Sequence, residues 1–337
     1  MEQLNPSGTS RPHDPSPSLD DVIHVGMTTY RPEFLPFAEQ AMQPFATIVL
    51  EEPNTPGFQE MLHSDLDIEA YLEFTDYEFP VYAHQSCHML RAFHAQGKSI
   101  LQIDPFMDEL IRIHEFFVSG GSPDQLEPQS VTGAVYAAEK EWTGRLLEFY
   151  QASRTSDFPG LISSVQAFSR ADAKKGLLRD TMRAAEVLNL FTSEPSLYVE
   201  AGFIHVALIR ELRRQSSGPI RVKPISVMED LVRSRTGRRQ ILAPGDVLTF
   251  LYTFRPGAQG PRADLLAAQS LVYNKIVHKE EHAGEDTTPH LDDEISAVSL
   301  AGSLTFEQCQ DVFQDISRRS TPEAKAYVAE WVNRRRN

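Results

Sequence analysis

Short apolar runs alternate along the chain with longer segments in which apolar residues recur every three or four positions. The first pattern predicts buried strands, and the second predicts amphipathic helices. Their alternation is typical of parallel strands joined by crossover helices, so we expect an α/β fold with a mostly parallel central sheet flanked by helices. Strands are predicted at residues 22–27, 46–50, 79–83, 99–103, 196–200 and 220–224, with a further strand at 247–254.

The period of the pattern changes after the fourth predicted strand. Residues 105–194 show helical spacing alone, which is more helix than one crossover requires. We interpret them as a helical insertion between the two parts of the α/β core, residues 21–104 and 195–258. Residues 259–337 are predicted to be a helical C-terminal region. Residues 1–20 hold four Pro and four Ser with few apolar groups, which predicts a disordered tail.

The composition indicates a globular protein, with 41% hydrophobic residues among 337 and a formal charge of −15. This charge argues against binding to nucleic acid or to anionic membranes. No apolar run reaches the roughly 18 residues that a membrane span requires, and we expect no secretory signal. The two cysteines, Cys87 and Cys309, are expected to be free thiols, which favours the cytoplasm. The oligomeric state is not indicated.

Polar residues follow the ends of the predicted strands, and ligands bind beyond these ends in open parallel sheets. Glu51 and Glu52 follow the second strand and point to opposite faces, so at least one reaches the edge cleft. A buried carboxylate there is a candidate general base, and a salt-bridged strand terminus is the alternative. The residues expected to bind a ligand are Gly26, Thr28, Thr29, Asp104, Glu200 and Gly202, although Asp and Thr also cap helices.

Two histidines are candidate ligands of a divalent metal. His84 and His88 are four residues apart in a helical stretch, so they share one face. Burial in the core is the alternative, because apolar residues surround them. Cys87 beside them is a candidate nucleophile with His84. The sequence lacks a phosphate-binding loop, a dinucleotide fingerprint, a serine nucleophile elbow and paired C-x-x-C motifs, which argues against nucleotide-dependent, dehydrogenase and usual serine hydrolase chemistry.

Three short motifs follow one another in a set order. Glu51 ends the second strand, Arg179 and Asp180 are adjacent in a helical stretch, and the late strand is followed by G-x-x-H at residues 202–205. In this order and spacing the chain resembles the superfamily that contains the TraB and TIKI proteins, the erythromycin esterases and the haem-binding ChaN proteins. The resemblance covers residues 21–215.

This resemblance implies an α/β core in which His205, Glu51 and Arg179 meet in one cleft. His205 and Glu51 would be the acid/base pair, with Glu52 in place of Glu51 if the register differs by one. Arg179 would stabilise the developing oxyanion, as preorganised donors do.

The chain departs from the superfamily pattern at two positions. Thr29 stands where the superfamily has its first histidine, and Arg183 stands where it has a methionine. His24 or His84 could replace the missing histidine, also as a metal ligand. Two functions stay open: hydrolysis of an ester or amide bond in a small molecule or peptide, with or without a divalent metal, and binding of a small ligand such as haem without catalysis. A purely fold-stabilising role is the third possibility.

Overall fold

The computed structural model describes residues 22–73, 78–154, 157–191, 196–216, 218, 220–281 and 288–336. The predicted tail, residues 1–20, lies outside these ranges, as does the acidic stretch 282–287.

Five strands form the sheet within these ranges, and all of them are parallel, which confirms the expected α/β fold. They are β1 (Val22–Thr28), β2 (Thr47–Leu50), β3 (Ser99–Gln102), β4 (Ser196–Gly202) and β5 (Arg221–Ser226). The order across the sheet is β3-β2-β4-β1-β5. Because neighbouring strands run in the same direction, their carboxyl ends meet along a single edge.

Two of the predicted strands are wrong, because both segments are helical. Residues 80–83 begin α4 (Pro80–Ala95), and 247–254 belong to α10 (Pro244–Phe254). Each helix has a proline at its start. The fixed φ of proline suits the first helical turn, where a backbone N–H has no partner within the helix. Buried Leu248 and Tyr252 are four residues apart, which is a helical spacing. A short apolar run cannot distinguish the two structures by itself.

Helices cover both faces of the sheet. A 3-10 turn (Pro32–Phe34) follows β1, and one face packs against α1 (Leu35–Met42), α2 (Phe58–His63), α3 (Ile68–Leu72) and α4. The other face packs against the end of α7 (Phe158–Phe191) and α8 (Val206–Gln215). Helices α5 (Pro105–Val118) and α6 (Val131–Ala152) precede α7, with a 3-10 turn (Pro123–Gln125) between them.

The helices that remain follow β5, and all of them except the first pack around the beginning of α7. They are α9 (Glu229–Thr236), α10, α11 (Pro261–Ile276), α12 (Pro289–Gly302), α13 (Phe306–Ile316) and α14 (Thr321–Arg336). Apart from α9, they form an apolar cluster with Phe158, Leu161 and Val165, whereas Ala184 and Val187 of the same α7 pack on the sheet. Helix α7 therefore crosses the edge where the strands end. None of the described helices combines the length and apolarity needed to cross a bilayer.

Candidate active site

The ends of β2 and β4 bring a carboxylate and an imidazole together. Glu51 follows β2 directly, and His205 lies in the turn after β4, where its backbone N–H donates to the carbonyl of Gly202 at 2.9 Å. The Oε1 atom of Glu51 is 2.8 Å from Nε2 of His205. This distance is within the hydrogen-bond reach that joint acid/base work requires.

Glu51 receives hydrogen bonds on both carboxylate oxygens. Its Oε1 also pairs with Nη2 of Arg179 at 3.0 Å. Its Oε2 accepts from the backbone N–H of Gly202 at 2.6 Å and from the hydroxyl of Tyr30 at 3.1 Å. Burial acts to raise the pKa of Glu51, but the charges of His205 and Arg179 outweigh it and hold the pKa well below its usual range. Glu51 is therefore a fixed carboxylate with few free lone pairs.

His205 lies between two carboxylates. Its Nδ1 is 2.6 Å from Oδ1 of Asp180, and its Nε2 faces Glu51. Burial acts to lower the pKa of His205, but the charge of Glu51 and the hydrogen bond to Asp180 raise it to about 9. At neutral pH both ring nitrogens carry a proton, so the side chain is an imidazolium that donates in both directions.

Arg179 connects this pair to the end of β3. Its Nε donates to Oδ2 of Asp104 at 2.7 Å, and its Nη2 is 2.5 Å from the same oxygen. Asp104 also caps α5, since its Oδ1 accepts from the N–H of Met107 at 3.1 Å. Asp104 therefore both belongs to the candidate site and caps a helix, the two roles that the sequence left open for it. Arg179 remains 23% exposed, more than its partners.

Arg183, one helical turn after Arg179, ties the strand ends to α7. Its side chain is 1% exposed and donates to the carbonyls of Ile103 at 3.0 Å and Glu200 at 2.6 Å. Its Nη1 is 3.5 Å from Oε2 of Glu51. Sequence reasoning treated this residue only as a departure, although its i+4 spacing from Arg179 could have revealed it. We call the following residues the ion cluster, with three carboxylates and three cations: Glu51, Asp104, Asp180, Arg179, Arg183 and His205.

A second set of side chains surrounds an open cavity that adjoins the ion cluster and shares Glu51 with it. Glu52 accepts from Nε2 of Gln102 at 2.8 Å and lines the same cavity as Glu51, because β2 ends at Leu50 and the alternation of the strand does not continue. The cavity beside it has a volume of about 240 Å³. We call it the acidic cavity; the residues that line it are Tyr30, Glu51, Glu52, Phe58, Tyr71, Glu78, Phe79, Tyr82, Ala83, Ser86, Cys87, Leu90 and Glu200.

The other acids of this cavity differ from Glu51 in their protonation at neutral pH. Glu200 is 5% exposed, and burial, followed by the charges of Glu52 and Glu51, raises its pKa to about 8. Burial also raises the pKa of Glu52, and it raises the pKa of the Tyr82 hydroxyl well above its usual value. Glu200 is therefore mostly a neutral acid at pH 7, next to the ionised Glu51.

The other predicted ligand-binding residues have different surroundings. A Cβ on Gly26 would lie 1.8 Å from the hydroxyl oxygen of Tyr198, so glycine is required there for packing and Gly26 is closed to a ligand. Thr28 is 3% exposed and lies outside the lining of the acidic cavity. Thr29 lines a separate cavity of about 730 Å³. Gly202 contributes its N–H to Glu51, which makes it part of the framework of the ion cluster.

The three histidines considered as metal ligands do not form one group, because His24 is far from the adjoining His84 and His88. His24 lies in the middle of β1 with its ring 4.8 Å from that of Phe45, far from the strand ends. His84 pairs with Glu69 at 3.1 Å, and its ring centroid is 4.7 Å from that of His88. Because α4 turns its Ala83 side toward the cavity, both of these residues lie on its outer side, so the alternative of burial in the core is wrong as well. In the described ranges no three His, Cys, Asp or Glu residues are grouped to hold a metal ion.

Cys87 does line the acidic cavity, but its chemistry differs from the expected nucleophile. Burial raises the pKa of its thiol to about 12. The reactive thiolate is therefore scarce at neutral pH. His84, its proposed partner, bonds to Glu69 on the outer side of α4 instead.

The residues that sequence reasoning missed are Tyr30, Tyr82 and Arg183. The two tyrosines come from the β1–α1 connection and from the first turn of α4, which was expected to be a strand. The error at residues 79–83 therefore hid one wall of the cavity.

The chain is similar to one curated protein from Archaeoglobus fulgidus, which is described as an uncharacterized protein. The two are 26% identical over 293 residues, which is 86% of this chain and 97% of the relative. No protein-family profile matches the chain. No solved structure matches it either. The similarity to the archaeal protein thus extends along most of both chains and carries no described activity.

Proposed function

We propose that this protein hydrolyses an ester or amide bond of a small molecule bound in the acidic cavity, with Glu200 as the acid/base residue. One observation carries the proposal: Glu51 is held ionised and Glu200 is held protonated on the walls of the same cavity. Environments that separate the pKa values of two neighbouring carboxyls mark acid/base sites. A pKa of about 8 also lies near the operating pH, where a general base works best.

In the proposed reaction, ionised Glu200 takes a proton from a water molecule while the water oxygen attacks the carbonyl carbon. The electron pair of the carbonyl bond moves onto its oxygen, which accepts a hydrogen bond from the hydroxyl of Tyr82. Burial keeps this phenol protonated. The tetrahedral intermediate then expels the alcohol or amine, and Glu200 returns its proton to that leaving group. Such proton transfers typically contribute a factor of about 10²–10⁴ to the rate.

The ion cluster has a positioning role in this proposal. The resemblance implied Glu51 and His205 as the acid/base pair, but the donors already bound to Glu51 leave it a weak base. The cluster holds the ends of β2 and β4 together, and with them the acidic cavity. The resemblance to the superfamily of TraB proteins and erythromycin esterases supports hydrolysis, since Glu51, Arg179, Asp180 and His205 occupy the matching motif positions.

A panel of p-nitrophenyl esters and p-nitroanilides tests the proposal. We expect Glu200→Gln to lower kcat by about 10²-fold or more on any substrate that is turned over. Glu211→Gln is the matched control, because Glu211 is 3% exposed and ion-paired on α8, away from the cavity. Equal activity of the wild type and Glu200→Gln would contradict the proposed role.

The pH profile of kcat/KM provides a second readout. We expect activity to rise as Glu200 ionises near pH 8 and to fall above about pH 9, where His205 loses its proton. The rising limb should be absent from any residual activity of Glu200→Gln. A profile that is highest at pH 6 would contradict a base with this environment.

Ligand binding without catalysis is the second candidate function. It is favoured by two features. Glu51 is immobilised by its donors, and Thr29 stands where the superfamily that the chain resembles has a histidine. A protein that binds small molecules in the acidic cavity but turns over no ester or amide in the panel would support this alternative.

A further inference from the structure

The acidic cavity combines aromatic rings with carboxyl groups and has no basic side chain in its lining. Four glutamates and five aromatic residues face it, whereas no Lys, Arg or His does so among the described residues. Aromatic faces and carboxylates share one preference, since both attract positive charge. This makeup contrasts with the chain as a whole, in which 32 Lys and Arg are available.

The rings form two pairs on the walls of the cavity. Tyr30 and Tyr82 meet at a centroid distance of 5.6 Å and an angle of 64°. Phe58 and Tyr71 meet at 6.0 Å and 49°. A fifth ring, Phe79, already carries the guanidinium of Arg31 at 3.9 Å from its centroid, so we leave it out of the binding surface.

Glu200 lacks a cationic partner inside the cavity. Glu51 and Glu52 face it from the end of β2, Tyr82 from α4, and Tyr30 and Tyr198 add phenols that carry no charge at neutral pH. Arg183 of α7 is the nearby cation, but its Nη2 bonds to the backbone carbonyl of Glu200. Burial and the two neighbouring carboxyls therefore raise the pKa of Glu200 to about 8. A bound cation would remove this penalty.

We propose that the acidic cavity binds a small organic ammonium group. The further step, that this group is part of the substrate, rests on the proposed function. The cavity of about 240 Å³ is smaller than the roughly 300–1,000 Å³ of sites for drug-sized ligands, so the ligand is a small molecule. A bare divalent metal is the less suitable occupant, because metal-binding groupings are missing from the described residues and apolar rings occupy much of the wall.

Calorimetry with choline chloride and with its neutral isostere 3,3-dimethylbutan-1-ol tests the proposal without requiring turnover. The two probes have nearly the same shape and differ in charge. We expect choline to bind about tenfold or more tightly than the isostere, which corresponds to about 1.4 kcal/mol. We also expect choline binding to strengthen from pH 6 to pH 9 as Glu200 ionises, with no such change for the isostere.

Two variants locate the binding. Glu52→Gln should weaken choline binding about tenfold while leaving the isostere unchanged, and the buried control Glu211→Gln should bind both probes like the wild type. Equal affinity for the two probes, no binding of either, or binding of Mg²⁺ or Mn²⁺ without choline would each overturn the proposal. Thermal unfolding of each variant shows whether it is folded.

Turnover of a matched ester pair separates this inference from the proposed function. Acetylcholine should be hydrolysed with a kcat/KM about tenfold or more above that of 3,3-dimethylbutyl acetate. Equal rates for the two esters would overturn the ammonium preference but keep the hydrolase. Choline binding with no turnover of either ester would support the ammonium site and contradict the hydrolase.

Discussion

The ion cluster and the acidic cavity adjoin at the same strand ends and share Glu51, but they handle buried charge in opposite ways. In the ion cluster every carboxylate faces a cation, and Glu51 alone contacts His205, Arg179 and Arg183. In the acidic cavity Glu200 and Glu52 face each other's charge, and the lining contains no basic side chain. Of the two adjacent residues that follow β2, Glu51 belongs to the ion cluster and also lines the acidic cavity, whereas Glu52 lines the cavity only.

This difference shows how one sheet edge provides both a rigid frame and a reactive surface. A buried carboxylate that is paired and hydrogen-bonded stays ionised and holds its position, but it is a poor base. A buried carboxyl without a cation stays protonated near neutral pH and can exchange its proton. The ends of β2 and β4 place one of each kind, Glu51 and Glu200, on the wall of one cavity.

The largest effect that we expect is a difference in the free energy of unfolding between a variant of the ion cluster and a variant of the acidic cavity. Glu51→Gln leaves the cations of the ion cluster with fewer carboxylates and should lower the free energy of unfolding by about 3–5 kcal/mol. Glu200→Gln replaces a protonated acid by a neutral amide and should change it by less than about 1 kcal/mol at pH 6. Urea unfolding measures both. Equal losses in the two variants would contradict the comparison.

The pH dependence of stability in the same Glu200→Gln variant sharpens the comparison between the ion cluster and the acidic cavity. The folded state raises the pKa of Glu200 from 4.5 to about 8, so the folded protein binds this proton more tightly than the unfolded chain. Wild-type stability should therefore fall as the pH rises from about 5 to about 8, by about 1.4 kcal/mol for each unit of pKa difference. At pH 9, Glu200→Gln should be the more stable protein. A wild type that is more stable than the variant at pH 9 would contradict a raised pKa of Glu200 in the folded protein.

His205→Gln should change relative to the wild type in the same direction, but over a higher pH range. The pKa of His205 is raised from 6.5 to about 9, so its stabilising contribution is complete below the lower value and is lost as the pH passes the higher one. We expect the variant to be about 1–3 kcal/mol less stable than the wild type at pH 6. The difference should shrink toward pH 9.5, as measured by urea unfolding at both pH values. A constant difference would show that packing, and not charge, is lost.

The smallest effect is expected on the outer side of α4. The double variant His84→Ala and His88→Ala removes side chains that lie away from both the ion cluster and the acidic cavity. Stability should stay within about 0.5 kcal/mol of the wild type, with an unchanged metal content by elemental analysis. A loss of bound metal would restore these histidines as ligands.

The sequence predicted the ion cluster better than the cavity. Glu51 and His205 follow strand ends, and the resemblance implied that they meet Arg179, as they do in the structure. The cavity depends on α4, whose start at residues 79–83 was interpreted as a strand. Local patterns of four or five apolar residues do not distinguish these structures.

Arg183 was missed for a different reason. Besides Glu51, it contacts the backbone carbonyls of Ile103 and Glu200, which leave no trace in side-chain types, so only its i+4 spacing from Arg179 marked it in the sequence. The protonation of Glu200 likewise depends on burial and on Glu51 and Glu52, and only the folded chain brings these groups together. Pairing and desolvation of this kind are properties of tertiary structure.

The central claim is that Glu51 is ionised and Glu200 protonated at neutral pH. A ¹³C NMR titration of protein labelled at the glutamate carboxyl carbon measures both states directly. We predict one resonance that titrates near pH 8 and is missing from Glu200→Gln, and one that stays ionised down to acid unfolding and is missing from Glu51→Gln. Titration of every glutamate between about pH 4 and 5 would contradict the claim.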